Sequence, residues 1–175
     1  YLRGLTREAF AKNTSCIIVV PTTENAKAIS IQLEKGIEQH VHTVTSTTTE
    51  KQMNLFLKAL EQDTPLLIIT TPYYLPLSIY RKNILVLESE SSPFYKDHIS
   101  HIDMALYVKI LGSYFSERLI LSDTLLTWET LHKYSTNHYK NILPISWPNK
   151  NTHKDLDIEI VTRPKGKSYT LFSDE

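Results

Sequence analysis

Residues 84–96 read Ile84-Leu85-Val86-Leu87-Glu88-Ser89-Glu90-Ser91-Ser92-Pro93-Phe94-Tyr95-Lys96, and this stretch decides the fold class. Four aliphatic residues in a row are typical of a parallel strand that is buried on both faces. Two acidic residues, Glu88 and Glu90, follow at the carboxyl end of that strand. Ligands of open α/β sheets bind just outside the carboxyl ends of such strands. The stretch therefore predicts an interior strand that ends at a binding site, and a solvated acidic loop is the alternative.

Composition limits the classes of protein to which this chain can belong. Its 175 residues predict one domain with a single core, and its 19 basic side chains balance its 19 acidic ones. Net charge therefore gives no strong attraction to nucleic acid or to a membrane, so any DNA contact has to be local. The single cysteine, Cys16, lies in the apolar run 16–20, which predicts a buried structural residue rather than a reactive thiol.

The beginning of the chain has the pattern of a helix and not of a targeting segment. Leu2, Leu5, Ala9 and Phe10 fall on one helical face, so the chain is expected to start within a helix. The sequence contains neither a signal-peptide pattern nor an apolar run long enough to span a membrane. We therefore expect a soluble cytoplasmic protein with no membrane partner.

Apolar runs alternate with helical patterns along residues 1–142, which predicts βαβ units and a mostly parallel sheet with helices on both faces. The predicted strands are Cys16–Val20, Val41–Thr45, Leu66–Thr70, Ile84–Glu88 and Leu119–Ser122. The predicted helices are 24–37, with Ala28, Ile31 and Ile37 on the apolar face; 52–60, with Met53, Phe56, Leu57 and Leu60; a helix marked by Ile102, Ala105, Leu106 and Ile110; and 127–134, with Trp128 and Leu131 facing inward.

Residues 143–175 have a different character. Pro144, Pro148 and Pro164 interrupt this segment, and residues 157–162 alternate apolar and polar side chains as a half-buried strand does. A turn at Gly166 predicts that residues 169–172 pair with this strand as a hairpin. We therefore divide the chain into a domain of residues 1–142 and a small β extension of residues 143–175.

The chain resembles the first RecA-like motor domain of the primosomal replication-restart DNA helicases. That family has Asp-Glu-Glu-His followed by Tyr-Lys where this chain has Glu88 to Ser91 followed by Tyr95 and Lys96. Further similar segments are Val19-Val20-Pro21, Thr70-Thr71-Pro72, Leu75-Pro76, Asp103 with Ala105, residues 119–124, Glu129, and Ile158-Glu159-Ile160-Val161. The resemblance covers nearly the whole chain.

The resemblance implies an ATP-dependent DNA helicase. Glu88 stands at the position of the family's magnesium ligand and Glu90 at the next acid, so both are candidate catalytic residues and Glu88 is the candidate metal ligand. Thr71, Tyr73 and Lys96 are the candidate nucleic-acid contacts. The implied cofactors are ATP and Mg²⁺. The implied partners are single-stranded or forked DNA, a second motor domain of the same protein, and other primosome proteins.

Several functional positions differ from the family's pattern. Ser89 occupies the position of the catalytic Glu, and a hydroxyl cannot take a proton from water as a carboxylate can. Pro72 replaces an arginine, and Asp123 is expected to repel phosphate where the family has a smaller polar residue. The alternative is therefore a motor domain that hydrolyses no ATP and serves as a scaffold for DNA or protein. A third reading is an unrelated doubly wound binding domain.

The family's phosphate loop would precede a segment like Tyr1-Leu2-Arg3, so we expect that loop and its strand to be absent from this chain. In RecA-like sheets this strand lies beside the strand that corresponds here to residues 119–122. The prediction is a vacancy at that edge, with ATP and Mg²⁺ not bound tightly by the fragment. The histidine pairs His40 with His42 and His98 with His101 lack the further ligands that a zinc site requires.

Overall fold

The computed structural model describes residues 1–79, 83–97 and 101–142. The strands are β1 (Ser15–Val19), β2 (Val41–Val44), β3 (Leu67–Thr70), β4 (Asn83–Glu88) and β5 (Arg118–Ser122). The α-helices are α1 (Leu2–Ala11), α2 (Thr23–Leu33), α3 (Glu50–Glu61), α4 (Met104–Phe115) and α5 (Trp128–Ser135), and short 3₁₀ helices cover Glu38–His40, Pro72–Leu77 and Pro93–Tyr95. Each strand begins and ends within one residue of its predicted bounds.

The five strands form one sheet in the order β2-β3-β1-β4-β5, and every neighbouring pair is parallel. Strand β4 lies between β1 and β5 and is therefore an interior strand, as its apolar run predicts. The fold is α/β with an all-parallel sheet flanked by helices, which confirms the predicted class and is the arrangement that RecA-like and Rossmann-type domains have. Strand β5 lies at one edge, and no strand of the described residues pairs with its outer side.

Strand β1 shows why the sheet is buried on both faces. Ile17 and Val19 belong to the core under α3 and α4, whereas Cys16, Ile18 and Val20 belong to the core under α1 and α2. All five side chains are fully buried. Because successive side chains of a strand point to opposite faces, a continuous apolar run supplies both cores at once.

The helices begin where the sequence supplies caps. At the start of α3, Thr49 and Gln52 form a capping box, in which each side chain accepts a hydrogen bond from the other residue's main-chain N–H. At the start of α4, the Asp103 carboxylate accepts a hydrogen bond of 3.0 Å from the N–H of Leu106. Near the end of α4, a Cβ on Gly112 would lie 2.8 Å from Leu119 Cδ1, so the missing side chain lets this helix approach β5 closely.

The predicted helices exist, but α2 ends at Leu33 instead of residue 37, and several predicted inward faces are wrong. Ile31 is 70% exposed, Leu106 55%, Ile110 48% and Trp128 79%, and Ala28 and Leu57 are exposed as well. Smaller side chains are buried instead, among them Ala26 on α2, Ala105, Val108 and Gly112 on α4, and Thr130 on α5. Small residues allow a helix to pack closely on a sheet, and periodicity alone does not distinguish them from an apolar outer face.

Three further predictions have different outcomes. Cys16 is buried, which confirms the predicted buried residue, and burial raises the pKa of its thiol to about 12. No helix in the described part of the chain has both the length and the apolar character needed to cross a membrane. The predicted β extension of residues 143–175, its strand and its hairpin lie outside the described residues.

Candidate functional site

The parallel strands bring their carboxyl ends to one edge of the sheet, and the candidate residues lie there. Glu88, the last residue of β4, is in register with Ser122, the last residue of β5. On the other side of β4, Leu87 is in register with Val19 of β1. Glu88 is partly exposed, whereas the residues of β4 before it are buried. The apolar strand thus ends in the Glu88 carboxylate, which lies at the surface of the sheet edge.

Tyr95 fixes the loop that follows β4. Its side chain is buried, and its hydroxyl lies 2.7 Å from the carbonyl of Glu88 and 3.1 Å from the carbonyl of Val19. Burial raises the pKa of Tyr95, and the nearby Glu88 and Asp123 carboxylates raise it further, so the hydroxyl keeps its proton and acts as a donor. One side chain therefore holds the ends of β1 and β4 against the loop.

Asp123 joins the loop after β4 to the loop after β5. Its Oδ2 accepts a hydrogen bond of 2.6 Å from the N–H of Ser91, and its Oδ1 accepts bonds from the N–H groups of Thr124 at 2.6 Å and Leu125 at 3.3 Å. A carboxylate that accepts main-chain N–H bonds orders both loops. The sequence predicts that Asp123 repels phosphate, which stays a prediction, and the structure gives this carboxylate a second role in joining the two loops.

Ser89, at the position that the resemblance assigns to a catalytic Glu, has a left-handed backbone. Its φ is 55°, which is uncommon for a residue other than glycine and costs roughly 1 kcal/mol or more. Its carbonyl accepts a hydrogen bond of 2.9 Å from the N–H of Ser92, which closes a turn. The chain therefore turns immediately after Glu88, and the two acids differ in burial, since Glu88 is partly exposed and the Glu90 side chain is buried.

Glu90 lies in a buried polar cluster. Its side chain is fully buried, and its Oε1 forms an ion pair of 2.5 Å with Nζ of Lys109 on α4. The same oxygen accepts a hydrogen bond of 2.6 Å from the hydroxyl of Thr127 and another from the hydroxyl of Thr130. Its Oε2 is buried with no hydrogen-bond partner among the described residues. Three donors thus bind one oxygen of this candidate catalytic residue, and the whole side chain is shielded from solvent.

Glu88 is the candidate residue that fits a magnesium site. Mg²⁺ in nucleotide sites keeps several waters and takes only one or two protein carboxylates together with the phosphates. A single partly exposed carboxylate at the carboxyl end of an interior strand has this character. The described ranges contain no group of three or more His, Cys, Asp or Glu side chains that would hold a metal by themselves. Any magnesium at Glu88 would therefore take water or phosphate oxygens as further ligands.

The loop after β3 presents one aromatic ring to solvent. Thr71 is buried and precedes the 3₁₀ helix Pro72–Leu77, whereas the next residue but one, Tyr73, is 64% exposed. Tyr74 packs on the core under α3 and α4. Partial desolvation of the hydroxyl and its hydrogen bond with the Asp97 carboxylate raise the pKa of Tyr73. The candidate contacts Thr71 and Tyr73 therefore differ, because only Tyr73 is open to a ligand.

The contact between Tyr73 and Asp97 brings the loop after β3 to the residue beside Lys96. Lys96 is exposed, and its main chain forms an isolated antiparallel bridge with Asp103 at the start of α4. Phe94, two residues earlier, is 72% exposed. Phe94 is not one of the nucleic-acid contacts that the sequence predicts, although the pair Pro93-Phe94 in a polar loop indicates an exposed ring. Tyr73, Phe94 and Lys96 form what we call the aromatic edge.

The remaining polar features lie apart from these residues. His42 contacts Phe56 with ring centroids 5.7 Å apart, and its Nε2 is buried with no hydrogen-bond partner among the described residues. His40 contacts the ring of Phe10 instead. An open depression of about 370 Å³ on the surface of α3 is lined by Glu50, Lys51, Asn54, Leu55 and Lys58. None of the candidate residues lines it, so it is not part of the site.

The site thus consists of one carboxylate at the end of an interior strand, two loops joined by Asp123, a buried ion pair, and the aromatic edge beside them. A partly exposed carboxylate is a ligand type that hard cations accept, and an exposed ring offers a π-face on which a base can stack. Comparison of the chain with protein-family models and with curated proteins gives no match.

Proposed function

We propose that this chain forms part of an ATP-dependent DNA helicase of the primosomal replication-restart type, in which Glu88 holds the magnesium of ATP and the aromatic edge contacts single-stranded DNA. The observation that carries the proposal is the position of β4. It is an interior strand, parallel to both neighbours, and it ends at a partly exposed carboxylate. ATP-dependent motors hold magnesium at such a strand end because nucleotides bind outside the carboxyl ends of parallel strands.

The strand order leaves an open edge where this proposal requires one. Strand β5 pairs with β4 on one side only, and among the described residues its other side has no partner. An edge strand offers a row of main-chain N–H and C=O groups to a further strand. The resemblance to the helicases expects the strand that leads into the phosphate loop beside β5. A strand there would bring the phosphates to the end of β4 where Glu88 lies.

The chemistry of the DNA contact follows from the exposed groups. Tyr73 and Phe94 offer rings on which unpaired bases stack, and such stacking is worth about 1–3 kcal/mol per base. Lys96 offers a cation for a phosphate, and because the chain has no net charge, this contact is local. The proposed partners are single-stranded or forked DNA, a second motor domain that closes on the nucleotide, and other primosome proteins.

Two observations favour a second candidate, a scaffold that binds DNA without hydrolysing ATP. Ser89 supplies no carboxylate to position an attacking water, and its turn directs the chain away from Glu88. Glu90 does not replace that carboxylate, because its side chain is fully buried and its Oε1 is bonded to Lys109, Thr127 and Thr130. In this candidate the fold is kept for its DNA-binding surface and for contacts with other proteins.

The experiment is to measure ATP hydrolysis by the gene product that contains this chain, with and without single-stranded DNA. A helicase motor hydrolyses ATP faster when DNA is added, and Glu88→Gln abolishes the hydrolysis. A scaffold binds the same DNA by fluorescence anisotropy without hydrolysis, and Phe94→Ala weakens that binding while Tyr134→Ala, on α5, does not. Absence of both hydrolysis and DNA binding would contradict both candidates.

A further inference from the structure

Helix α4 is apolar on two sides, and only one of them faces the core. Met104, Ala105 and Val108 are buried under the sheet. On the outer side, Leu106, Ile110 and Tyr114 follow each other at intervals of four residues, the spacing that aligns side chains along a helix, and Ile102 lies in the segment just before the helix. They are 55%, 48%, 80% and 52% exposed, respectively. We call these four residues the outer ridge.

The outer ridge carries no charge. Lys109 is directed to the buried carboxylate of Glu90 and has a side chain only 18% exposed. The hydroxyl of Ser113 donates a hydrogen bond of 2.8 Å to the carbonyl of Ile110 in its own helix, so it offers no donor to a partner. Single exposed apolar residues are ordinary on protein surfaces, but a contiguous apolar row marks an interaction site.

We infer that the outer ridge is a dimer interface in which α4 packs against α4 of a second copy of this chain, antiparallel across a twofold axis. Side chains four residues apart form the ridges that interlock in the commonest class of helix packing. A twofold axis between Leu106 and Ile110 places each of them against the other residue of the partner. Such an interface needs one surface that is complementary to itself, and a straight apolar ridge meets this condition.

Charge and area favour a second copy over other partners. Two identical charged faces repel each other, whereas this face is uncharged and the chain has a formal net charge of zero. Nucleic acid or a charged peptide finds no ion partner on the ridge. If a large side chain offers roughly 200 Å², the four exposed fractions correspond to roughly 450 Å² per copy, or about 900 Å² in total. With flanking residues this approaches the lower limit of about 1,000 Å² for a specific interface.

This area predicts a weak dimer, with a dissociation constant in the micromolar range. The inference does not depend on the proposed function, because the outer ridge lies on the side of α4 away from the sheet and no residue of the candidate magnesium site belongs to it. It also differs from association through the open side of β5, since that would use main-chain groups of an edge strand.

The test is sedimentation equilibrium of the full 175-residue chain from low to high micromolar concentration. We expect a monomer–dimer equilibrium that Ile110→Glu weakens at least about tenfold, because it places two unpaired carboxylates near the twofold axis. The matched control is Ile31→Glu on α2, an exposed isoleucine on the opposite face of the sheet, which should leave the equilibrium unchanged. Circular dichroism establishes that both variants are folded.

A second variant tests the geometry. The double substitution Leu106→Cys with Ile110→Cys should form a covalent dimer on mild oxidation. It should form no larger covalent oligomers, because both crosslinks join the same two copies. The native Cys16 is buried and does not compete. A monomer at every concentration would overturn the inference. Dimers unaffected by Ile110→Glu, or equally weakened by Ile31→Glu, would overturn it as well.

Discussion

The hydroxyl of Tyr95 lies 2.7 Å from the main-chain carbonyl of Glu88, so a buried ring holds the end of the strand that carries the candidate magnesium ligand. The same hydroxyl lies 3.1 Å from the carbonyl of Val19 on the neighbouring strand. The position of Glu88 therefore depends on a residue that belongs to the loop seven positions later in the sequence.

Tyr95→Phe keeps the ring and removes this hydroxyl. We expect the free energy of unfolding to fall by about 1–2 kcal/mol, because a buried carbonyl loses its donor. Urea denaturation measures the change. Tyr134→Phe on α5, where the ring is 41% exposed, is the control and should change stability by less than about 0.5 kcal/mol. Equal effects of the two substitutions would show that Tyr95 does not hold the strand end.

Asp123→Ala removes the acceptors of three main-chain N–H groups, those of Ser91, Thr124 and Leu125. We expect faster hydrogen exchange at Ser91 and Thr124 and a loss of about 1–3 kcal/mol in stability. Asp123→Asn keeps one acceptor oxygen and should have a smaller effect. Unchanged exchange at Ser91 in the alanine variant would mean that the two loops are ordered without this carboxylate.

Lys109→Met leaves the buried Glu90 carboxylate without its cation. We expect this substitution to cost about 3–5 kcal/mol, because an uncompensated buried charge is strongly destabilising. Glu90→Gln combined with Lys109→Met should recover part of the loss, since both charges are then removed. Thermal or chemical denaturation of the single and double variants gives the coupling between the two residues. Additive effects would contradict a direct ion pair.

His42 should make stability depend on pH. Burial, and then the charge of His40, lower the pKa of His42 below its ordinary value of 6.5, and its Nε2 has no hydrogen-bond partner among the described residues. The folded state therefore binds the proton less readily than the unfolded state, so stability is full above pH 6.5 and falls as the pH decreases through the lower folded pKa.

His42→Leu should flatten the pH dependence of the unfolding free energy in this range, measured by urea denaturation at a series of pH values. His101→Asn is the matched control, because His101 is exposed and asparagine tolerates its positive φ. The control should keep the slope of the unaltered protein. An unchanged slope in His42→Leu would assign the pH dependence to other groups.

The sheet was predictable because its strands are apolar on both faces, and runs such as 84–87 admit few other structures. The outer ridge of α4 was not predictable, because Leu106 and Ile110 are as apolar as core residues. Smaller side chains occupy the buried positions of this helix. Hydrophobic periodicity identifies a helix but does not orient one that is apolar on two sides.

The candidate site was predictable in part. The position of Glu88 at the sheet edge could be predicted from the apolar strand that precedes it. Its register with Ser122, the last residue of β5, confirms that position. The environment of Glu90 could not be predicted, because Lys109 lies 19 residues away and Thr127 lies 37 residues away in the sequence. Ion pairs between residues distant in the sequence leave no local sequence pattern. The sequence therefore does not show that Glu88 and Glu90 have different environments.

The most direct test of the account is binding of a fluorescent ATP analogue to the gene product that contains this chain, with Mg²⁺ and with EDTA. We predict binding that requires Mg²⁺ and weakens at least about tenfold in Glu88→Gln, whereas Glu117→Gln, an exposed acid before β5, binds as the unaltered protein does. Binding that is independent of Mg²⁺, or identical affinity in Glu88→Gln, would contradict the assignment of Glu88 as the magnesium ligand.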